Sequence, residues 1–339
     1  MSTKLASRGS NTLWGVLSVL LTVALFAAGA WVLLHRQYVV DQLTVWQYEP
    51  TADIVSLADN SGMAEDGRFY FFASTPKLIA NQKTYNSSCP RQEEGSAILG
   101  CYVSGKIYVY DVPDERLAGV PPVTAAHEML HAVYERMSEG ERKTVNDLLE
   151  AEYQKLLGAE DAKFRERMEY YARTEPGARD NELHSIIGTE IDNISSELEA
   201  HYAQYFDNRD KVVTLHDSYN NQFVALEQDS TSLRSQLERL SEEINTMTNQ
   251  YNADIEALNA DIETFNSQAA SGAFSTEGSF NAARANLVTQ IDTLEQTRQD
   301  IDARHVEYEQ KRVAYNKTVD ESNSLSRSLD STLAPAPSI

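Results

Sequence analysis

The sequence predicts a chain in three parts: one transmembrane helix, an α+β domain, and an antiparallel α-helical coiled-coil hairpin. Three observations predict it. Leu13 to Leu34 is an apolar run without a charge. Residues 37–209 mix β-rich and helical segments. From Tyr219 onward, apolar residues recur at spacings of 4 and 3. The expected organisation is a cytoplasmic N-terminus over 1–12, a span over 13–34 and a mixed domain over 37–209. A hairpin follows over 210–330 with its turn near 267–279, then a disordered tail over 331–339.

The run "LWGVLSVLLTVALFAAGAWVLL" rises about 1.5 Å per residue as a helix, enough for a hydrocarbon core roughly 30 Å thick. Trp14 and Trp31 lie near its ends, where amphipathic rings favour the interface. The alternative is a cleaved signal peptide, because Ala28-Gly29-Ala30 fits a small-residue cleavage site. The apolar run continues past that point through Leu34, which favours a retained anchor. Lys4 and Arg8 precede the span and Arg36 follows it. The positive-inside bias therefore places the N-terminus in the cytoplasm and the rest of the chain outside. Cys89 and Cys101 are the two cysteines. They would close a short loop as a disulfide in an oxidising compartment, and the alternative is two unpaired thiols.

The chain carries 51 acidic against 29 basic residues, a net charge of -22. Such a surface repels nucleic acid and anionic lipid, so no nucleic-acid partner is expected.

Within the mixed domain, "ADIVSLADNSGMAEDG" reads as a short helix ending in a turn. "RFYFFAS" reads as an aromatic-rich strand closed by Thr75-Pro76. "ILGCYVSGKIYVYDV" reads as a hairpin around Ser104-Gly105. Pro121-Pro122 then opens a helix, and Ser138 to Glu141 spells a capping box that starts another. The order expected is strands first and helices second.

The first of those helices contains "TAAHEMLHAVYER". Positions i and i+4 share a helix face, so His127 and His131 can present nitrogens to one ion. Zinc takes such nitrogens at about 2.0–2.1 Å and, in catalytic sites, three protein ligands plus water. Glu128 sits beside that water, where a carboxylate can take its proton and pass it to a leaving amine. Helices spell H-E-x-x-H by chance as well, and a third ligand is what separates the two cases.

The segment "DNELHSIIGTEIDNISSELEAHY", Asp180 to Tyr202, offers that ligand. "VTAAHEMLHAV" followed by "NELHSIIGT" resembles the two active-site helices of thermolysin-like zinc peptidases, the gluzincins, over about thirty residues. The resemblance implies a zincin-like domain with zinc on His127, His131 and Glu182 and with Glu128 as the base. Two departures stand out. His131 and Glu182 are about fifty residues apart, longer than in thermolysin itself. The aspartate that follows the family's serine is Ile186 here. Glu190 could supply that missing contact, or could itself be the third ligand. It lies among apolar residues, and a carboxylate so placed needs a partner. His184 and His201 read as surface or supporting histidines. Tyr170, Tyr171, His201 and Tyr202 are the candidates for stabilising a developing oxyanion. "KIYVYDV" is the candidate edge strand for an extended substrate.

In the last third the apolar seam runs from Tyr219 to Tyr251, slips by one residue, and resumes from Ile255 to Phe265. "SQAASGAFSTEGS" breaks it, and a second seam runs from Phe280 to Val319. Two long helices around a short break read as an intramolecular hairpin, the first arm reaching about 90 Å. Its function reads as a spacer or as a docking surface for a protein partner.

Together these features predict a single-pass, extracytoplasmic zinc metallopeptidase hydrolysing peptide bonds. The alternative is a membrane-tethered scaffold or binding protein whose zincin-like domain does not cut.

Overall fold

A computed structural model describes residues 9–89, 99–158, 164–165, 168–169 and 177–330. Two units divide the chain, Met1–Tyr219 and Asn220–Ile339. The first begins with helix α1 (Gly9–Leu34), whose side chains from Trp14 to Leu34 are all exposed. This helix is long and apolar enough to cross a membrane. After His35 comes α2 (Arg36–Gln47).

The body of the first unit is built around α6 (Val120–Arg136). Ala125, Ala126, Met129, Leu130 and Ala132 are wholly buried, so this helix is covered on several faces. Its small side chains let neighbours approach. Helices α3 (Ala52–Asn60) and α4 (Glu65–Ala73) pack on it, as do α8 (Arg179–Glu190) and a small sheet. Thr51 caps α3 by accepting from the Ile54 N–H, and Gly62 at φ 70° allows the turn that ends it.

Residues 68–74 are not the expected strand. Arg68 to Ala73 belong to α4 and Ser74 caps its end, and the reason is physical. Glu65 and Asp66 occupy its first turn, where carboxylates favour a helix N-terminus. Phe69 to Phe72 is an unbroken aromatic run with no period-2 alternation, so tertiary packing decided its form. Phe71 is buried, while Gly67 lies so close to the Tyr205 carbonyl that a Cβ would sit 2.2 Å from that oxygen.

The sheet has three strands in the order β1 (Lys77–Ile79), β3 (Lys106–Tyr110), β2 (Gly100–Val103). The β2–β3 hairpin is antiparallel, pairing Cys101 with Tyr108 and Tyr102 with Ile107. Ser104 and Gly105 both adopt positive φ, 53° and 77°, as a tight two-residue hairpin turn requires. β1 pairs in parallel with β3. This corrects two expectations. β3, the core of "KIYVYDV", is the central strand, and β2 is the edge beside α6. Helices α3, α4 and α5 (Gln82–Ser88) also precede the hairpin, so strands do not come first.

Cys89, which caps the end of α5, is joined by a disulfide to Cys101 of β2. Helix α7 (Glu139–Gly158) starts at the capping box: the Ser138 N–H donates to Glu141 Oε2 at 2.7 Å, and the Glu141 N–H donates to Ser138 Oγ at 3.3 Å. Buried Arg209 donates to the carbonyls of Ile191 and Asp192 just past α8, and also pairs with Glu199 of α9 (Ser196–Tyr202).

The second unit is an antiparallel helix pair. Helix α10 (Asp210–Ser271) and α11 (Glu277–Leu329) are separated by five residues, a tighter break than 267–279. Gly272 at φ 69° ends the first helix, and Thr276 caps the second with Ser279. Cross-pairs fix the direction: Asp261 with Gln290, Glu243 with Arg304, and Gln236 with Lys311. Leu237 packs with Tyr315 and Val319 in the seam, while Phe265, Phe274 and Phe280 meet at the turn. Truncating Leu237 to Ala should therefore cost about 2–5 kcal/mol, read as a lower denaturation midpoint of the hairpin. Truncating exposed Val313 should change that midpoint little.

Candidate metal site

His127 and His131 lie one turn apart on α6, with ring centroids separated by 4.8 Å. Helix α8 brings the third group. Its Gly188 is what lets it pass so close: a Cβ there would lie 2.4 Å from Leu130 Cδ1 and 2.7 Å from Tyr202 Cε1. Glu182, in the first turn of α8, then faces both imidazoles. Its Oε1 is 3.4 Å from His131 Nε2, and its Oε2 is 3.7 Å from His127 Nε2. Among the described residues these three form the one cluster of this kind, with their ligand atoms all within 4.8 Å.

The geometry fits a metal ion. Two ligands bound at about 2.0–2.1 Å in a tetrahedral site sit roughly 3.3 Å apart; the two Glu182–histidine contacts are close to this, while the set as a whole spans up to 4.8 Å and would have to draw in around an ion. Among the described residues, Glu182 Oε2 and the neighbouring Asn181 Oδ1 are buried without a hydrogen-bond donor. A buried acceptor left so costs about 1–3 kcal/mol, and a cation between the three side chains would relieve it. Protons partly fill that role in the metal-free protein. Burial pushes His127 down, yet the Glu182 carboxylate facing it and the Glu128 charge hold it above its ordinary value. Burial pushes Glu182 up, but His131 and His127 outweigh it and hold the carboxyl below the usual range. His131 is driven down by burial, only partly offset by Glu182.

Glu128 is 5% exposed and lies where edge strand β2 crosses α6. Only glycine fits that crossing: a Cβ on Gly100 would stand 2.5 Å from Glu128 Oε1 and 2.4 Å from Thr124 Cγ2. The disulfide at the next residue, Cys101, ties this strand to α5. From α5, the buried Tyr85 hydroxyl has no hydrogen-bond partner among the described residues, and burial together with the Glu128 charge keeps the phenol protonated. Sequence reading passed over Tyr85, because only the folded sheet brings "QKTYNSS" to this corner.

Glu190 is outside the triad. Its Oε2 is 3.3 Å from Nε2 of His216, in the opening turns of α10, so the partner that a carboxylate among apolar residues needs is this histidine. The Glu190 charge is felt at both His127 and Glu182, raising each. His216 was not anticipated either. Its signal is a lone histidine where the coiled-coil pattern begins. Ile186 is wholly buried in the core, so the position of the family's aspartate carries packing and no charge.

The remaining candidates divide. Tyr202 is wholly buried, and its hydroxyl donates to the His184 carbonyl at 2.7 Å, so its proton is committed to the backbone. His201 and His184 face each other, Nε2 to Nε2 at 2.9 Å. Tyr170 and Tyr171 lie outside the described residues. Comparison with known proteins finds no family, no characterised relative and no solved structure that the chain matches.

The His184–His201 contact needs one ring nitrogen protonated and the other bare, so the accepting ring is neutral, and burial favours the neutral form of both. Burial pushes His201 down to about 4 and His184 well below its ordinary value. Unfolded histidines take up protons near 6.5. Below that pH the unfolded chain binds protons that these folded rings refuse, so their contribution is fully present above about 6.5. It is lost as pH falls toward 4. The melting temperature of metal-free protein should drop over that interval, and His201→Gln should make the drop shallower in a pH series of thermal melts.

Proposed function

We propose that the chain is a membrane-anchored zinc metallopeptidase, with its catalytic unit outside the cytoplasm. The observation that carries this reading is the juxtaposition of His127, His131 and Glu182 beside a buried Glu128. His127, His131 and Glu182 would hold the ion, leaving one position open. When bound, the ion would supply a water of lowered pKa and polarise the scissile carbonyl. Glu128 would accept one proton from the attacking water as its oxygen adds to the carbonyl carbon. The same carboxyl then gives the proton to the amine as the C–N bond breaks.

An extended substrate would add to the sheet at β2, the edge strand that crosses Glu128. The exposed apolar face of α1 supports the anchor. The Cys89–Cys101 disulfide supports an oxidising compartment for the unit that follows it. The hairpin serves as a spacer or a docking surface for another protein. A scaffold that binds without cutting has no use for a carboxylate placed as Glu128 is.

The experiment is a pair of substitutions in the full chain. Glu128→Gln should keep one zinc per chain by elemental analysis and lose at least about 100-fold in hydrolysis of a broad peptide library. Glu182→Ala should lose the zinc, whereas Glu190→Ala should weaken it only about 10–100-fold. Wild-type hydrolysis by Glu128→Gln would remove the assigned base.

A further inference from the structure

We propose that this site acts on polypeptides anchored in the same membrane, cutting them close to the bilayer surface; the inference rests on the membrane-anchored peptidase reading above. The ground for it is how rigidly the metal-site helix is tied to the apolar helix. A single residue, His35, separates α1 from α2, and the helical ladder runs through it. The His35 N–H donates to the Trp31 carbonyl at 2.9 Å, and the His35 carbonyl accepts from the Val39 N–H at 3.1 Å. There is thus no free linker at the point where the chain would leave the bilayer.

Seven residues beyond Leu34, or about 10 Å along a helix, Asp41 is buried against α6 itself. Arg136 holds it at both oxygens: Nε donates to Oδ2 and Nη2 to Oδ1, each at 2.9 Å. Arg136 also donates through Nη1 to the Tyr102 hydroxyl on β2 and to the Ala132 carbonyl. Both side chains are nearly closed to solvent, 7% and 4% exposed. Breaking such a pair by removing one member costs about 3–5 kcal/mol, so the joint is firm. The far end of α2 is fixed as well, where the Tyr48 hydroxyl donates to the Pro76 carbonyl at 2.6 Å.

Arg136 and His131 share α6, five residues or about 8 Å apart along the axis. Even with every segment of this path laid end to end, the triad stays within roughly 35 Å of the hydrocarbon boundary. An extended chain covers about 3.3–3.6 Å per residue. A polypeptide anchored alongside therefore reaches the site with about ten residues or fewer. A nearby anchor also raises the local concentration of its own chain at that height, and the gain falls with the −3/2 power of spacer length or faster. A freely diffusing protein gains nothing from it.

The test uses the full chain in phosphatidylcholine liposomes. One fluorogenic peptide, selected as a cleaved sequence from a free library, is offered free and on lipid anchors with Gly/Ser spacers of 10 or 40 residues. A variant carries a 20-residue Gly/Ser insertion between His35 and Arg36, which touches no side chain of the site. Wild type should cleave the short-spacer substrate about five- to tenfold faster than the long-spacer one. The insertion variant should lose that difference and still cleave the free peptide within twofold of wild type. Equal rates on both spacers by wild type would overturn the proposal. Failure to cleave any free peptide would instead strike the peptidase reading. The geometry has its own readout, energy transfer from a fluorophore on Glu139→Cys to acceptor lipids. Strong transfer in wild type that weakens in the insertion variant is expected, and weak transfer in both would overturn the proposal.

Discussion

A buried carboxylate facing two imidazoles is the constraint on which this structure turns. Glu182 is 6% exposed, and a charge so placed needs a partner of opposite sign. His127, held above its ordinary value, faces it together with His131 only because α8 lies tightly against α6, and that closeness depends on Gly188 having no side chain. Arg209 holds the carbonyls of Ile191 and Asp192 at the end of the same helix that Gly188 lets approach α6. A shift of one residue along either helix would remove Glu182 from the histidines and leave three buried polar groups apart.

The same packing explains what surrounds the triad. Strand β2 crosses α6 at Gly100 and sets a backbone edge beside Glu128. The disulfide fixes that strand to α5, which brings the Tyr85 phenol under the influence of the Glu128 charge. On another side, α10 contributes Val212 and Val213 to the core and sets His216 against Glu190. Below, Arg136 joins α6 to Asp41 near the apolar helix. One helix therefore carries two of the triad, Glu128 and the joint to α2.

Local features were legible in the sequence and nonlocal ones were not. The α6 motif, the Ser138–Glu141 capping box, the turn at Ser104-Gly105 and the 4-and-3 seam each depend on residues within a few positions of one another. Residues 68–74 misled because aromatic strand preference yielded to helix packing against α2 and α6. The parallel partner Lys77–Ile79 is three residues long, too short for alternation to register, and its absence from the reading put β3 at the edge in place of β2. Tyr85 and His216 carry no local signature at all. They approach the site through the disulfide, the sheet and the first turns of the long helix, none of which periodicity encodes.

The central claim is that His127, His131 and Glu182 hold one zinc ion with a position left open. X-ray absorption at the zinc edge of the full-length protein tests it most directly. The account predicts one zinc per chain with a shell of nitrogen and oxygen at about 2.0–2.1 Å and outer-shell scattering from two imidazole rings. The second ring should vanish in His131→Ala. A sulfur shell, scattering from more than two rings, or no bound zinc in protein whose Cys89–Cys101 disulfide is intact would contradict it.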